Sequence, residues 1–317
     1  HKAILPAAVA EEKRRVINAA RGVEWTDPDP RGLDSIGGLD LLKTWLLSRK
    51  EGFSSEARAF GLPSPKGVLL VGVSGTGKSL TAKAAATAFE CPLLRLDLGA
   101  AQSKWVGESQ ANIRGALSVA ETVGRCVLWI DEIEKALAGA IGGTNDGGVS
   151  ADALGTLLSW MQDRKGQVFV IATANDVSKL PPELLRKQRW DDLFFVDLPT
   201  TKERREIMHV AALHYGRVLG SSELDAVASA TERFSGAEID ALMSPALYAA
   251  FADGRRELRV ADLLVAAKET VPLADTARAK IEELRSWAHG RARRASSLEE
   301  VLAPVSDGNR VVDIDQN

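Results

Sequence analysis

The reading turns on Val68-Leu69-Leu70-Val71-Gly72-Val73-Ser74-Gly75-Thr76-Gly77-Lys78-Ser79-Leu80. The first four residues are an uninterrupted apolar run, the signature of a buried strand. The glycine-rich turn after them has the spacing Gly, four residues, Gly-Lys-Ser, and Leu80 to Phe89 reads as a helix. Strand, glycine turn and helix in that order make a phosphate cradle. Its glycines let backbone N–H groups wrap an anion, and the helix aims its positive end at the same point. On this reading Ser74, Gly75, Thr76, Gly77 and Leu80 contribute to the cradle, Lys78 pairs with the β- and γ-phosphates, and Ser79 ligates Mg²⁺.

Outward from this turn, Leu93 to Leu96, Val127 to Ile130, Val168 to Ala172 and Leu193 to Val196 are further short apolar runs. Helical patterns at Ala111 to Val123 and Ala151 to Met161 separate them, so the expected fold is α/β, a P-loop parallel sheet covered on both faces. Beyond Pro199 the strand signals stop. Thr201 to Tyr215, Leu224 to Thr231, Gly236 to Ala252 and Val260 to Glu269 look helical, and Ser235 with Glu238 forms a capping box. Pro245 should kink or interrupt the third of these helices. Upstream, Pro6 to Ala20 looks helical, Glu24 to Asp34 is read as a connector, and Leu39 to Arg49 is an amphipathic helix with Leu42, Trp45 and Leu46 on one face. Residues after Arg291 read as weakly structured. The boundaries that follow are an N-terminal helix and linker over 1–33, a nucleotide-binding α/β domain over 34–199, a small all-α lid over 200–272, and a C-terminal helix and tail over 273–317.

A second motif supports nucleotide chemistry. Val127-Leu128-Trp129-Ile130-Asp131-Glu132 is an apolar strand ending in two adjacent carboxylates, placing Asp131 to hold the metal and Glu132 to activate the attacking water. Alone, such a pair could be a solvated strand end. Asn175 ends another strand, where it could bond the γ-phosphate and the water, although Asn is also an ordinary turn former.

Composition narrows the rest. In 317 residues, Lys+Arg 40 against Asp+Glu 43 gives a net charge of -3, so there is no general basic field for nucleic acid or an anionic membrane. No apolar run approaches the roughly 18 residues that span a bilayer. Cys91 and Cys126 cannot make a disulfide framework and, without paired histidines, do not suggest zinc. A reducing, cytoplasmic compartment fits. The opening His1 suggests a processed or excised chain.

These motifs, over roughly Asp34 to Glu269, resemble the AAA+ ATPases, and within them the AAA group of proteasomal and membrane-protease ATPases. A narrower resemblance is to the AAA proteins named from hypothetical reading frames of chloroplast genomes, carried by Trp129-Ile130-Asp131-Glu132-Ile133, Phe194-Phe195-Val196-Asp197-Leu198-Pro199 and the tail Trp287-Ala288. Those proteins usually carry an additional N-terminal domain. The resemblance implies that Ile36 and Gly37 grip adenine by their backbone, that Asn175 is the first sensor, and that Gly236 and Ala237 open the lid helix beside the nucleotide. It also implies that Lys104-Trp105-Val106 is a pore loop pressing on a polypeptide, that Gly139 to Gly148 is a second such loop, and that Arg189 is a finger reaching a neighbour's γ-phosphate, with Arg186 the runner-up. Trp105 could instead be a core tryptophan, the glycine-rich loop inert, and either arginine a surface ion pair.

The implied activity is Mg-dependent ATP hydrolysis coupled to remodelling or translocation of a protein through a homo-oligomeric ring, a hexamer in this family. Four departures qualify it: Asp192 at the second finger position, Gln188 where Gly is usual, Asp152 at an inter-subunit arginine position, and Ala211 where a lid histidine is expected, with His209 two residues earlier. They keep open an ATP-dependent switch or scaffold. A nucleic-acid motor is disfavoured by the charge, and a GTPase by the lack of an Asn-Lys-x-Asp motif. His214 and His289 have no partner pattern, and the arginines at 291, 293 and 294 read as a solvated face.

Overall fold

The computed structural model describes residues 11, 14–15, 17–18, 20–101, 108–137, 147–164, 166–186 and 188–297. The elements run β1 (Val23–Thr26), α1 (Asp40–Glu51), α2 (Ser55–Phe60), β2 (Gly67–Gly72), α3 (Lys78–Ala88), β3 (Leu93–Leu96), α4 (Leu98–Ala101), α5 (Glu108–Val123), β4 (Cys126–Ile130), α6 (Ile133–Leu137), α7 (Gly147–Asp163), β5 (Val168–Ala174) and β6 (Asp192–Val196). Helices α8 (Thr201–His214), α9 (Ser221–Ala230), α10 (Gly236–Ala241), α11 (Met243–Ala252), α12 (Val260–Glu269), α13 (Leu273–Thr276) and α14 (Arg278–Ala288) follow, and β7 (Arg293–Arg294) is the last described strand. The fold is thus mixed α/β with a helical C-terminal part.

The sheet order is β1-β3-β4-β5-β2-β6-β7, with β3 through β7 parallel and β1 antiparallel on its edge. Each of the five apolar runs is a strand in it. Alternation along these strands sends Leu69, Val71, Leu128, Ile130, Val170 and Ala172 into one core. Val68, Leu70, Val127, Trp129, Phe169, Ile171 and Phe194 face the other. This period of two explains why strands buried on both faces read as continuous hydrophobic runs. In the second core Trp45 of α1 meets Phe194 edge-on at 5.3 Å, and Phe89 meets Phe169 at 5.1 Å. A separate core of Met208, Leu224, Val227, Phe234, Ile239, Met243 and Leu263 holds the helical part together.

Three expectations need correction. The connector at Glu24–Asp34 overlaps the strand β1, whose Val23 and Trp25 pair with Leu96 and Leu94. Only four residues long, with one of them buried, β1 leaves too little periodicity to read. The helix expected over Gly236–Ala252 is two helices, and the break falls at Leu242, before Pro245. Pro245 sits in the first turn of α11, where its missing N–H removes no intrahelical bond.

The third correction concerns the tail. Arg293 and Arg294 add a strand beside Phe194 and Phe195, and Ala295 is 1% exposed. The Leu42 N–H donates to the Ala295 carbonyl at 3.0 Å, and the Ser297 N–H to Asp40 Oδ1 at 2.8 Å. Arg293 is exposed, as expected of a solvated face, and pairs with Asp192 at 2.7 Å. The partners of this segment lie more than 100 residues away or on another element, so no local pattern marks it.

Candidate active site

Parallel pairing brings the carboxyl ends of β2, β4 and β5 side by side, where α/β folds bind ligands. Gly72 ends β2 against β6, and a Cβ there would lie 2.0 Å from the Val196 carbonyl oxygen. In the turn that follows, Gly75 and Gly77 have φ of +76° and +90°, values that L side chains rarely adopt. Gly77 caps α3 and offers no side-chain acceptor, so the first-turn N–H groups of α3 remain available to an anion. Lys78 is 5% exposed, and its Nζ donates to the carbonyls of Gly72 at 2.9 Å and Val73 at 2.5 Å. Burial pushes its ammonium down to about 8, against the opposing pull of Glu134, Asp131 and Glu132.

Opposite the turn lies a chain of hydrogen bonds. The hydroxyls of Ser79 and Thr173 both donate to Asp131 Oδ1, at 2.8 and 2.7 Å. Thr173 Oγ1 accepts the Glu132 N–H at 2.9 Å, and Glu132 itself sits at φ +47°. Asn175 Nδ2 donates to Glu132 Oε1 at 2.9 Å, while Lys135 Nζ holds Glu132 Oε2 at 2.5 Å. Both oxygens of that carboxylate are therefore engaged. Thr173, 1% exposed, was not singled out from sequence. Its signal was a hydroxyl inside an otherwise apolar strand.

Between the turn and the helical part is a cleft of about 450 Å³. Ile36 and Gly37 form one wall, and Ile207, Val210, Ala211 and His214 of α8 face it with Gly236, Ala237 and Asp240 of α10. Gly37 must lack a side chain, since a Cβ would come within 2.4 Å of the Ile207 nitrogen. The Ile36 carbonyl accepts from Lys43 Nζ at 2.5 Å, and the Gly38 and Leu39 N–H groups donate to Glu206 and Glu203 of α8, each at 2.9 Å. The helical part also touches the turn directly, because the Ala237 N–H donates to the Gly75 carbonyl at 2.8 Å. His214 lines this cleft although no sequence pattern marked it, whereas His209 lines a smaller neighbouring pocket with Asp34 and Lys43.

The structure thus brings together Ile36, Gly37, Ser74 to Leu80, Asp131, Glu132, Asn175, Gly236 and Ala237. Arg189 lies apart from them, half-buried, with one guanidinium nitrogen enclosed and unpartnered among the described residues; Arg186 is exposed. Asp152 lines a groove of about 440 Å³ between α5 and α7, beside Arg114 and Trp160. That groove has comparable volume but lacks the glycine turn and the strand-end carboxylates of the first. Lys104, Trp105 and Val106, and residues 139–146 of the glycine-rich stretch, lie outside the described residues.

Residues 68–198 match the family described as ATPase family associated with various cellular activities, AAA. The chain carries an AAA ATPase domain. The matched domain is that of an ATPase family. It is 43% identical over 293 residues to the AAA domain-containing protein ycf46 of Pyropia yezoensis, a match covering 91% of this chain and 58% of that protein. It is 35% identical over 217 residues to the proteasome-activating nucleotidase of Sulfurisphaera tokodaii, covering 66% of this chain and 54% of that one. The chain therefore spans little more than half the length of these relatives. In fold it is similar to the crystal structure of the FIGL-1 AAA domain, with a TM-score of 0.68 at 20% identity, covering 92% of this chain and 99% of that one. No helix among the described residues is long and apolar enough to cross a membrane.

Proposed function

We propose that this AAA domain performs Mg-dependent ATP hydrolysis at the 450 Å³ cleft and uses it to remodel or translocate a protein through a homo-oligomeric ring. The observation that carries the reading is the continuous bond chain Ser79–Asp131–Thr173–Glu132–Asn175, which ties the phosphate turn to a carboxylate and an amide at adjacent strand ends. A hydroxyl and one carboxylate suit Mg²⁺, which takes few protein ligands and completes its shell with water and substrate phosphates. Ser79 and Asp131 would hold it, where it neutralises phosphate charge. Among the described residues no cluster of three His, Cys, Asp or Glu competes for a metal.

Lys78 exchanges its two carbonyl partners for β- and γ-phosphate oxygens. Glu132 orients the attacking water and takes its proton. Asn175 bonds the γ-phosphate and the water. Ile36, Gly37, Gly236 and Ala237 hold the base and ribose side. Arg189, delivered from a neighbouring subunit, would stabilise transition-state charge, and Trp105 with Lys104 and Val106 would grip the substrate. The domain boundaries 34–199 and 200–272 suit the separate apolar core of the helical part. The free thiols of Cys91 and Cys126, pushed up by burial to about 11 and about 12, suit a reducing cytoplasmic or stroma-like compartment.

One observation favours the second reading, a switch or scaffold that assembles weakly. Asp192, at the second finger position, is occupied within its own chain by Arg293. Purified Glu132→Gln should bind ATP without turnover, and its sedimentation with and without ATP separates the two readings. An ATP-dependent ring supports threading; a persistent monomer supports the switch. Normal turnover in Glu132→Gln would overturn the catalytic assignment.

A further inference from the structure

Behind the wall of the cleft, two buried oxygens have no donor among the described residues, Glu134 Oε2 and Asn175 Oδ1. Their owners are already joined, because the Asn175 backbone N–H donates to Glu134 Oε1 at 2.9 Å. Glu134 lies in the first turn of α6 and is 2% exposed, shielded from bulk solvent. An unsatisfied buried acceptor is destabilising, and an ionised carboxylate in that position more so. A single proton on Glu134 Oε2 removes both deficits if it is donated to Asn175 Oδ1. With Asn175 Nδ2 directed at Glu132, an unprotonated Glu134 leaves both acceptors without a donor among the described residues.

We propose that Glu134 is a neutral acid that holds Asn175 at two points, accepting its backbone N–H at Oε1 and donating from Oε2 to Oδ1, and so fixes the side-chain amide with Nδ2 toward Glu132. The proposal rests on the reading that Glu132 and Asn175 flank the attacking water. If Glu134 were ionised, two carboxylates would compete for Nδ2, and in the turned-over amide Oδ1 would face the Glu132 carboxylate, leaving the water site without its donor. Glu134 is thus a positioning residue that acts through Asn175. The surroundings agree, because burial is the largest influence on its carboxyl and raises it; the Asn175 N–H opposes, Glu132 adds to the rise, and Lys78 opposes.

The test compares Glu134→Gln, Glu134→Leu and Asn175→Ala in the full chain. Glutamine keeps both points, accepting through Oε1 and donating through Nε2, while leucine keeps neither. Glu134→Leu should lower kcat on the order of a hundredfold, as removal of a transition-state donor does, with KM for ATP moved less than about threefold. Glu134→Gln should rescue kcat to at least about tenfold above the leucine variant. The infrared difference spectrum of wild type minus Glu134→Gln, without nucleotide at neutral pH, should show a protonated-carboxyl stretch. Equal loss in both Glu134 variants, unchanged turnover in Glu134→Leu, or absence of that band overturns the proposal. Full turnover in Asn175→Ala would instead overturn the site reading beneath it. Should Glu134→Leu fail to fold, the band in the wild-type spectrum still decides.

Discussion

Removing residues 293–317 asks how far the end of the chain organises the nucleotide cleft. Helix α1 begins after Leu39, which sits at φ +56° and supplies no side-chain cap. The missing acceptor comes instead from the tail, through Ala295 to the Leu42 N–H at 3.0 Å, while Asp40 accepts from Ser297 at 2.8 Å. Ser296 adds a hydroxyl to Glu203 at 2.5 Å, the carboxylate that also receives the Leu39 N–H. Each bond contributes about 1 kcal/mol net, opposed by ~1–2 kcal/mol for ordering each tail residue, so global stability should fall by no more than ~2 kcal/mol. In a chain of this size that is a drop in Tm of no more than roughly 3 °C. The local effect should be larger. Without its cap the start of α1 frays, and amide protection at Leu42 should fall on the order of tenfold or more, as expected of a segment that opens on its own. Because α1 follows directly on Ile36 and Gly37, ATP affinity should weaken several-fold. Hydrogen exchange of the truncated and full chains, with nucleotide titrations, measures both. Unchanged protection at Leu42 with unchanged affinity would refute the capping argument.

Gly37→Ala forces a methyl to within 2.4 Å of the Ile207 backbone nitrogen, a contact that no side-chain rotation relieves. It should cost about 1–3 kcal/mol and open the seam between the base loop and α8, read as a lower Tm and a larger Kd for ADP. Lys78 carries a pH signature: between about 8 and its ordinary 10.5 the unfolded chain binds more protons than the folded one, so unliganded stability should rise with pH across that window. The buried charge costs ~3 kcal/mol below it, and Lys78→Met should abolish the slope in denaturant titrations at the two ends of the window. Lys135→Met frees Glu132 Oε2 and should raise kcat by at most about fivefold, the range of an exposed ion pair. A lowered kcat would show that Lys135 assists the reaction.

The sheet was legible because its strands are buried on both faces and therefore advertise themselves, as Val68 to Val71 and Val168 to Ala172 do. The phosphate turn was legible because its glycines and Lys78 have backbone-level roles at fixed spacing. What stayed hidden depends on partners distant in sequence. Thr173 matters through Asp131 and the Glu132 N–H, and Glu134 through the Asn175 backbone. The tail matters through a helix that starts over 250 residues earlier. His214 reaches the cleft because α8 carries it one turn beyond Ala211 on the same face.

Both margins of the sheet are closed by very short strands, four residues of β1 on one side and two of β7 on the other. A long bare margin beside β3 or β6 would present a ladder of free N–H and C=O groups to any other extended chain. An enzyme proposed to handle unfolded polypeptides would meet such chains constantly. With β7 carrying arginines outward and β1 running against the sheet, a stray segment finds little to add itself to. On the proposed threading reading, the same two short strands would limit adhesion of a client along the flank.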